Sequence, residues 1–228
     1  MKKIDKSTIF FLIGAALVYV IVQTLTSLKI INSFWETILL LAGVMAIVSL
    51  GLNLIYGFNG QFSLGQYGFY AIGAYTAADV TFRWTQLHSA GGLTVVFFIA
   101  ILASITIVIV QKAVSKIRGL DTLSAFALYL AVVLVAIFAA VKLGQLTANP
   151  VTALLNLLPA KTAQMIVYVI AIILGGAIAA EVSFLYGLPI LTLGSDYFGI
   201  ATLGFTIIVK VLLDNSDTML GFQEMKGA

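Results

Sequence analysis

Residues 57–68 read GFNGQFSLGQYG: four glycines, two glutamines, an asparagine and a serine, set between two strongly apolar stretches. Read through, residues 37–82 are one long apolar run; broken here, they are two crossings of a membrane. Glycine lacks the Cβ that penalises left-handed backbone and keeps neighbouring helices apart. Gly57, Gly60 and Gly65, beside the polar residues, suit an unwound turn, whereas Gly51, Gly68 and Gly73 fall within helical pattern and suit close helix contact. Unwound backbone in lipid leaves N–H and C=O groups unpaired, so it persists only where protein shields it or where it lines a wet cavity. Two readings follow. The break forms part of a substrate pathway, with Asn53, Gly60, Gln61, Ser63 and Gln66 as neutral donors, acceptors and exposed backbone. Alternatively it is a cytoplasmic turn with a turn's ordinary polar residues.

The surroundings of the stretch fix the solvent. Of 228 residues, 61% are hydrophobic and 9% charged, and the mean hydropathy is +1.13, whereas soluble domains carry roughly 25% charge. The composition is that of an integral membrane protein. With no cysteine, disulfides, thiol catalysis and cysteine metal sites are excluded, and the single histidine, His88, lies in a polar linker. Neither a catalytic constellation nor a metal site is expected, and the chain does not read as an enzyme. The net charge of +3 is scattered, without the dense basic patch that nucleic-acid binding requires. Lys2, Lys3 and Lys6 precede an apolar run over 8–28. That run exceeds the roughly 7–15 residues of a signal-peptide core and ends without a small-x-small cleavage site, so it reads as a retained first helix.

A crossing needs about 20 mostly apolar residues. Seven segments approach that: 8–28, 37–56, 67–82, 93–110, 122–141, 162–186 and 197–213. The expected fold is all-α, a polytopic transmembrane helix bundle forming one domain over 1–228, with the glycine-rich break between its second and third segments. Lys2, Lys3 and Lys6 and the loop with Lys112, Lys116 and Arg118 belong on one cytoplasmic side. Four intervening crossings achieve this and three do not, which makes the second and third segments separate. The same parity places Trp35 and Trp84 at the outer interface, where indoles prefer to sit. It also puts the 142–161 linker outside. There Asn149 and Pro150 read as an N-cap and a first helical position, and 151–158 as a packed connector or a short surface helix.

Two stretches carry a family resemblance. LGLNLIYGFNGQFSLGQYGFYAIGAYTAA, residues 50–78, resembles the signature region of the permease subunits of bacterial branched-chain amino acid ABC importers, the LivM type especially. SDYFGIATLGF, residues 195–205, is similar to the later signature of the same subunits. The resemblance implies a pore-forming subunit of the bacterial inner membrane, multi-pass, with a cytoplasmic N-terminus. It implies a second permease subunit, two cytoplasmic ATPase subunits that bind the ATP, and an extracytoplasmic substrate-binding protein that delivers branched-chain or related amino acids. The chain itself would hold no cofactor and move substrate by alternating access. Departures exist: Thr192 and Gly194 stand where family members usually carry basic residues, Ile207 where they often carry an acid. The chain also ends at Ala228, before the further helices and ATPase-coupling loop of such subunits, and is expected to be C-terminally incomplete relative to them.

Single polar residues complete the reading. Glu181, within the sixth segment, reads as a carboxylate reaching the cytoplasmic interface, and Lys210 as a lysine snorkelling from the end of the seventh. Asp79 and Arg83, four apart, read as an interfacial helix pair. Asp196 and Tyr197 open the seventh segment, where a carboxylate suits a helix start; their place in the second signature adds them to the expected pathway residues. The rival function is an ion-coupled secondary transporter of small amino acids or amides, acting through Glu181 or Asp196. A non-transporting scaffold, whose glycines serve packing alone, is a further rival.

Overall fold

The computed structural model describes residues 6–116, 122–190 and 195–215. These form seven α-helices: α1 (Lys6–Ser27), α2 (Ser33–Asn59), α3 (Gln66–Leu87), α4 (Gly91–Lys116), α5 (Thr122–Asn156), α6 (Ala160–Ile190) and α7 (Ser195–Asp214). There is no strand among the described residues. The architecture is the expected all-α, multi-pass membrane bundle, and each apolar segment lies, within a residue, inside one helix. Five of the described helices are long and apolar enough to cross a membrane. α3 falls short in apolarity because it carries Gln66, Gln86 and several threonines as well as Asp79 and Arg83; the carboxylate oxygens and Nε of the last two lie 2.9 and 3.0 Å apart as the expected pair.

The chain groups into two compact units, Met1–Leu54 and Ile55–Ala228. In the first, α1 closes through a turn in which Lys29 takes left-handed backbone (φ 54) and its N–H bonds the Thr26 carbonyl. Asn32 then caps α2, its Oδ1 accepting from the Trp35 N–H at 3.1 Å.

In the second unit α3 pairs with α6 and α4 with α5, while α3 also meets α4 and α7. Helices in lipid gain nothing from burying apolar surface against each other, so small residues that permit close approach decide the pairing. On α6, Ala163, Val167, Ala171 and Gly175 recur every fourth residue and are buried, making a low ridge. Gly175 crosses Gly73 of α3 so closely that a Cβ on Gly175 would lie 2.5 Å from the Gly73 carbonyl oxygen. Farther along, Val80 and Trp84 of α3 close over Ala163, Val167 and Ala171. Trp84 is buried in this helix packing.

The helix start expected at Asn149 and Pro150 is overturned, while Val151 and Leu155 pack on the buried cluster as a packed connector would. α5 continues through Pro150 to Asn156, so Asn149 caps nothing and no separate helix begins at Val151. Proline removes one helical hydrogen bond and normally breaks a helix interior, but α4 grips α5 on both sides of it. The Thr94 hydroxyl donates to the Gly144 carbonyl at 2.8 Å, and the Ala90 N–H donates to Thr152 Oγ1 at 2.9 Å. The turn to α6 instead occupies residues 157–159. Lys2, Lys3, Arg118, Thr192 and Gly194, on which orientation and the family departures rest, lie outside the described residues.

Candidate functional site

The break exists, and it is narrower than the sequence suggests. α2 runs through Gly57 to Asn59, so Gly57 is helical, and α3 starts at Gln66. Residues 60–65 between them are extended or turning, beginning with Gly60 in left-handed backbone (φ 66) that any side chain would strain.

The polar main chain of this segment is satisfied by α7. The Leu64 N–H donates to Thr202 Oγ1 at 3.0 Å, and the Thr206 hydroxyl donates to the Leu64 carbonyl at 2.8 Å. Two threonines one helical turn apart thus take both backbone groups of one residue, as a neighbouring strand would. Ser63, buried, accepts the Gly65 N–H at 3.3 Å. Such pairing is what unwound backbone at membrane depth requires.

Packing follows the same seam. α7 buries Phe198, Thr202, Phe205 and Val209, spaced four, three and four apart. Against them lie Gly65, where a Cβ would come within 3.2 Å of the Thr202 Cβ, and Gly68, where it would come within 3.0 Å of the Phe205 ring. Phe205 is the centre of an aromatic cluster with ring centroids 4.6 Å from Phe69 and 4.1 Å from Tyr186. The Tyr186 hydroxyl donates to the Ala201 carbonyl at 2.9 Å, tying the end of α6 to α7. Residues 62–69 of the first stretch and the α7 part of the second, more than a hundred residues apart in sequence, pack together in space.

The expected pathway residues divide. Gly60, Gln61, Ser63 and Gln66 belong to the break or its rim, with Ser63 facing inward and Gln61 and Gln66 half-buried. Asn53 sits exposed on α2 in the first unit. Tyr197 is 67% exposed, on the side of α7 away from its buried stripe, and the Asp196 side chain lies outside the described residues. What the sequence reading missed is Thr202 and Thr206. The signal was present: two hydroxyls at i and i+4 in the apolar middle of α7, with Gly199 before them and Gly204 between them.

A second polar place lies at the other end of α3. A recess of about 300 Å³ is lined by Trp84, Thr85, His88, Asn156 and Gln164. His88 ends α3 in left-handed backbone (φ 48), its N–H bonding the Arg83 carbonyl. Neither place gathers the titratable groups of an acid–base site, and among the described residues no cluster fit to hold a metal is found. The chemistry on offer is neutral hydrogen bonding beside apolar and aromatic surface.

Comparison with known proteins gives a short, specific likeness. The chain is 46% identical over 48 residues to the high-affinity branched-chain amino acid transport system permease protein LivM of Salmonella typhimurium, and equally to that of Escherichia coli. The match covers 21% of this chain and only 11% of the length of each relative. No protein-family model matches the chain, and no solved structure does.

Proposed function

We propose that this chain is a membrane-spanning permease subunit of an ATP-driven importer for branched-chain or related amino acids, moving substrate by alternating access. The observation that carries the proposal is the joining of the two signature stretches: the Gly60–Gly65 break is built, shielded and held by α7, as a working element rather than a slack turn. The likeness to LivM permeases supplies the substrate class.

The two ends of α3 fit such a cycle. The break and the His88 recess are separated by the length of the helix, about 33 Å at 1.5 Å per residue, close to the thickness of the hydrocarbon core. A zwitterion with an apolar side chain suits both places, since neutral amides and hydroxyls can hold its two charges without fixing a charge in the pore. In this reading Gly60, Gln61, Ser63 and Gln66 border the substrate path. A second permease subunit, two ATPases and an external binding protein complete the importer, and the chain sits in the bacterial inner membrane with its N-terminus cytoplasmic.

The test is reconstitution in vesicles with the neighbouring ATPase and binding-protein genes. Uptake of labelled leucine should require ATP and survive dissipation of proton and sodium gradients. Uptake that stops when the gradients collapse while ATP remains would instead establish the ion-coupled carrier, for which Glu181 and Asp196 are the candidate carboxylates.

A further inference from the structure

Trp84 brings a polar atom into the helix packing of the second unit. The residue is 8% exposed and belongs to one buried cluster with Val80, Leu155 and Ala163. A buried indole N–H ordinarily finds a hydrogen-bond partner, and leaving one without is costly. Among the described residues the Trp84 side chain has none. What Trp84 does border is the open recess at the end of α3.

The recess gathers further groups of the same kind. The side chains of His88, Asn156 and Gln164 line it, and none of the three has a hydrogen-bond partner among the described residues. Thr85, also in the wall, is committed, its hydroxyl bonding the Thr81 carbonyl at 2.9 Å. Ala160 lines the recess as the first residue of α6. The Pro159 carbonyl takes the N–H groups of Thr162 and Ala163 at 2.9 and 3.0 Å. Those of Ala160 and Lys161 are left without an acceptor in the helix, at the positive end of its dipole. Indole and main-chain N–H groups can only donate, the two amides each present an NH₂, and an imidazole keeps at least one N–H. No aspartate or glutamate lines the recess, and no lysine or arginine.

We propose that this recess binds a small apolar monocarboxylate, its oxygens taken by the Trp84 N–H and the amides of Asn156 and Gln164, its body lying on Leu155 and Leu158. Charge sets the headgroup: neutral donors at a helix start suit a single negative charge, and each bond to a carboxylate is charge-assisted. A phosphate, with more charge to offset, would call for the lysine or arginine that the wall lacks. An ammonium would find no carboxylate to pair with. Size sets the body: about 300 Å³ is twice the ~150 Å³ apolar cavity that accepts benzene, which leaves room for a branched aliphatic chain beside the headgroup. The ligand needs no amine, so the site goes beyond the transport reading and does not rest on it.

The measurement is calorimetric titration of isocaproate into the full chain in phosphatidylcholine nanodiscs, corrected with empty nanodiscs, with isohexylamine, isohexyl alcohol and inorganic phosphate as comparison ligands. Saturable binding is expected for the carboxylate and not for the other three. Trp35→Phe leaves Trp84 as the one tryptophan of the chain, so a saturable change in its emission should accompany binding. Trp84→Phe removes the indole N–H and keeps an aromatic ring, and Gln164→Leu removes an amide from an exposed position; each should weaken isocaproate binding about tenfold. Unliganded melting temperatures establish that the variants are folded, and Gln164→Leu carries the test alone should Trp84→Phe not fold. Absence of saturable isocaproate binding, equal binding of any comparison ligand, an unchanged Trp84 emission, or undiminished binding in the folded variants would each overturn the proposal. The first of these outcomes would mean that water alone satisfies the indole. Leucine uptake by the importer is a separate readout, so failure of the carboxylate site leaves the transport proposal standing.

Discussion

At the scale of single residues the decisive groups are two hydroxyls. Thr202 offers its oxygen to the Leu64 N–H, and Thr206 offers its proton to the Leu64 carbonyl. Thr202→Val keeps the shape and removes the acceptor, leaving a main-chain donor unpaired away from water, at a cost of about 1–3 kcal/mol. Thr76→Val is the matched comparison, because that hydroxyl only bonds back to the Ile72 carbonyl on its own helix. Thermal unfolding in detergent should show a clear loss for the first and little change for the second. Limited proteolysis should find new cleavage within 60–65 in Thr202→Val alone. The sequence offered Asp196 and Tyr197 as the polar residues of the second signature, because charge and phenol draw the eye in an apolar helix. The structure gives the seam to its threonines: Thr202 and Thr206 both bond the Leu64 main chain, while Tyr197 is exposed.

At the scale of helices, adjacent glycines on α6 make a sharp comparison. A Cβ on Gly175 would strike the Gly73 main chain at 2.5 Å, whereas one on Gly176 meets nothing within 4 Å. Gly175→Ala should therefore destabilise the protein by about 1–3 kcal/mol through overpacking, and Gly176→Ala should be neutral or slightly stabilising, as alanine is the better helix former. Melting temperatures of the two variants measure this directly. Gly144→Ala belongs with the first, its Cβ falling 2.5 Å from Val95 Cα. All seven helices were legible in the sequence because apolar length is a strong signal and lipid admits few alternatives to helix. The break was legible from its glycines, although its start was placed too early, at Gly57. The continuation of α5 through Pro150 was not legible. Local chemistry argued for a stop there, and the packing that overrides it, Thr94 on Gly144 and Ala90 on Thr152, joins residues too distant in sequence to be paired by inspection.

At the scale of the molecule, the second unit is organised along α3. One end of that helix opens from the break held by α7, and the other closes on the recess around His88. If the chain is the proposed importer subunit, alanine substitution of Gln61 and Gln66 together should lower reconstituted leucine uptake several-fold while leaving assembly with the proposed ATPases intact. A scaffold whose glycines serve packing alone would show no change in uptake. The whole reading depends on the break being fixed against α7. The chain has no cysteine, so an introduced pair reports on that contact without background. A Cβ at position 65 would lie 3.2 Å from the Thr202 Cβ, just under the roughly 3.5–4.5 Å found across disulfides. Gly65→Cys with Thr202→Cys should cross-link within minutes of mild oxidation in membranes, while Gly65→Cys with Leu203→Cys, on the exposed side of α7, should remain reduced. If the first pair stays reduced, or both pairs react alike, the break is not held by α7.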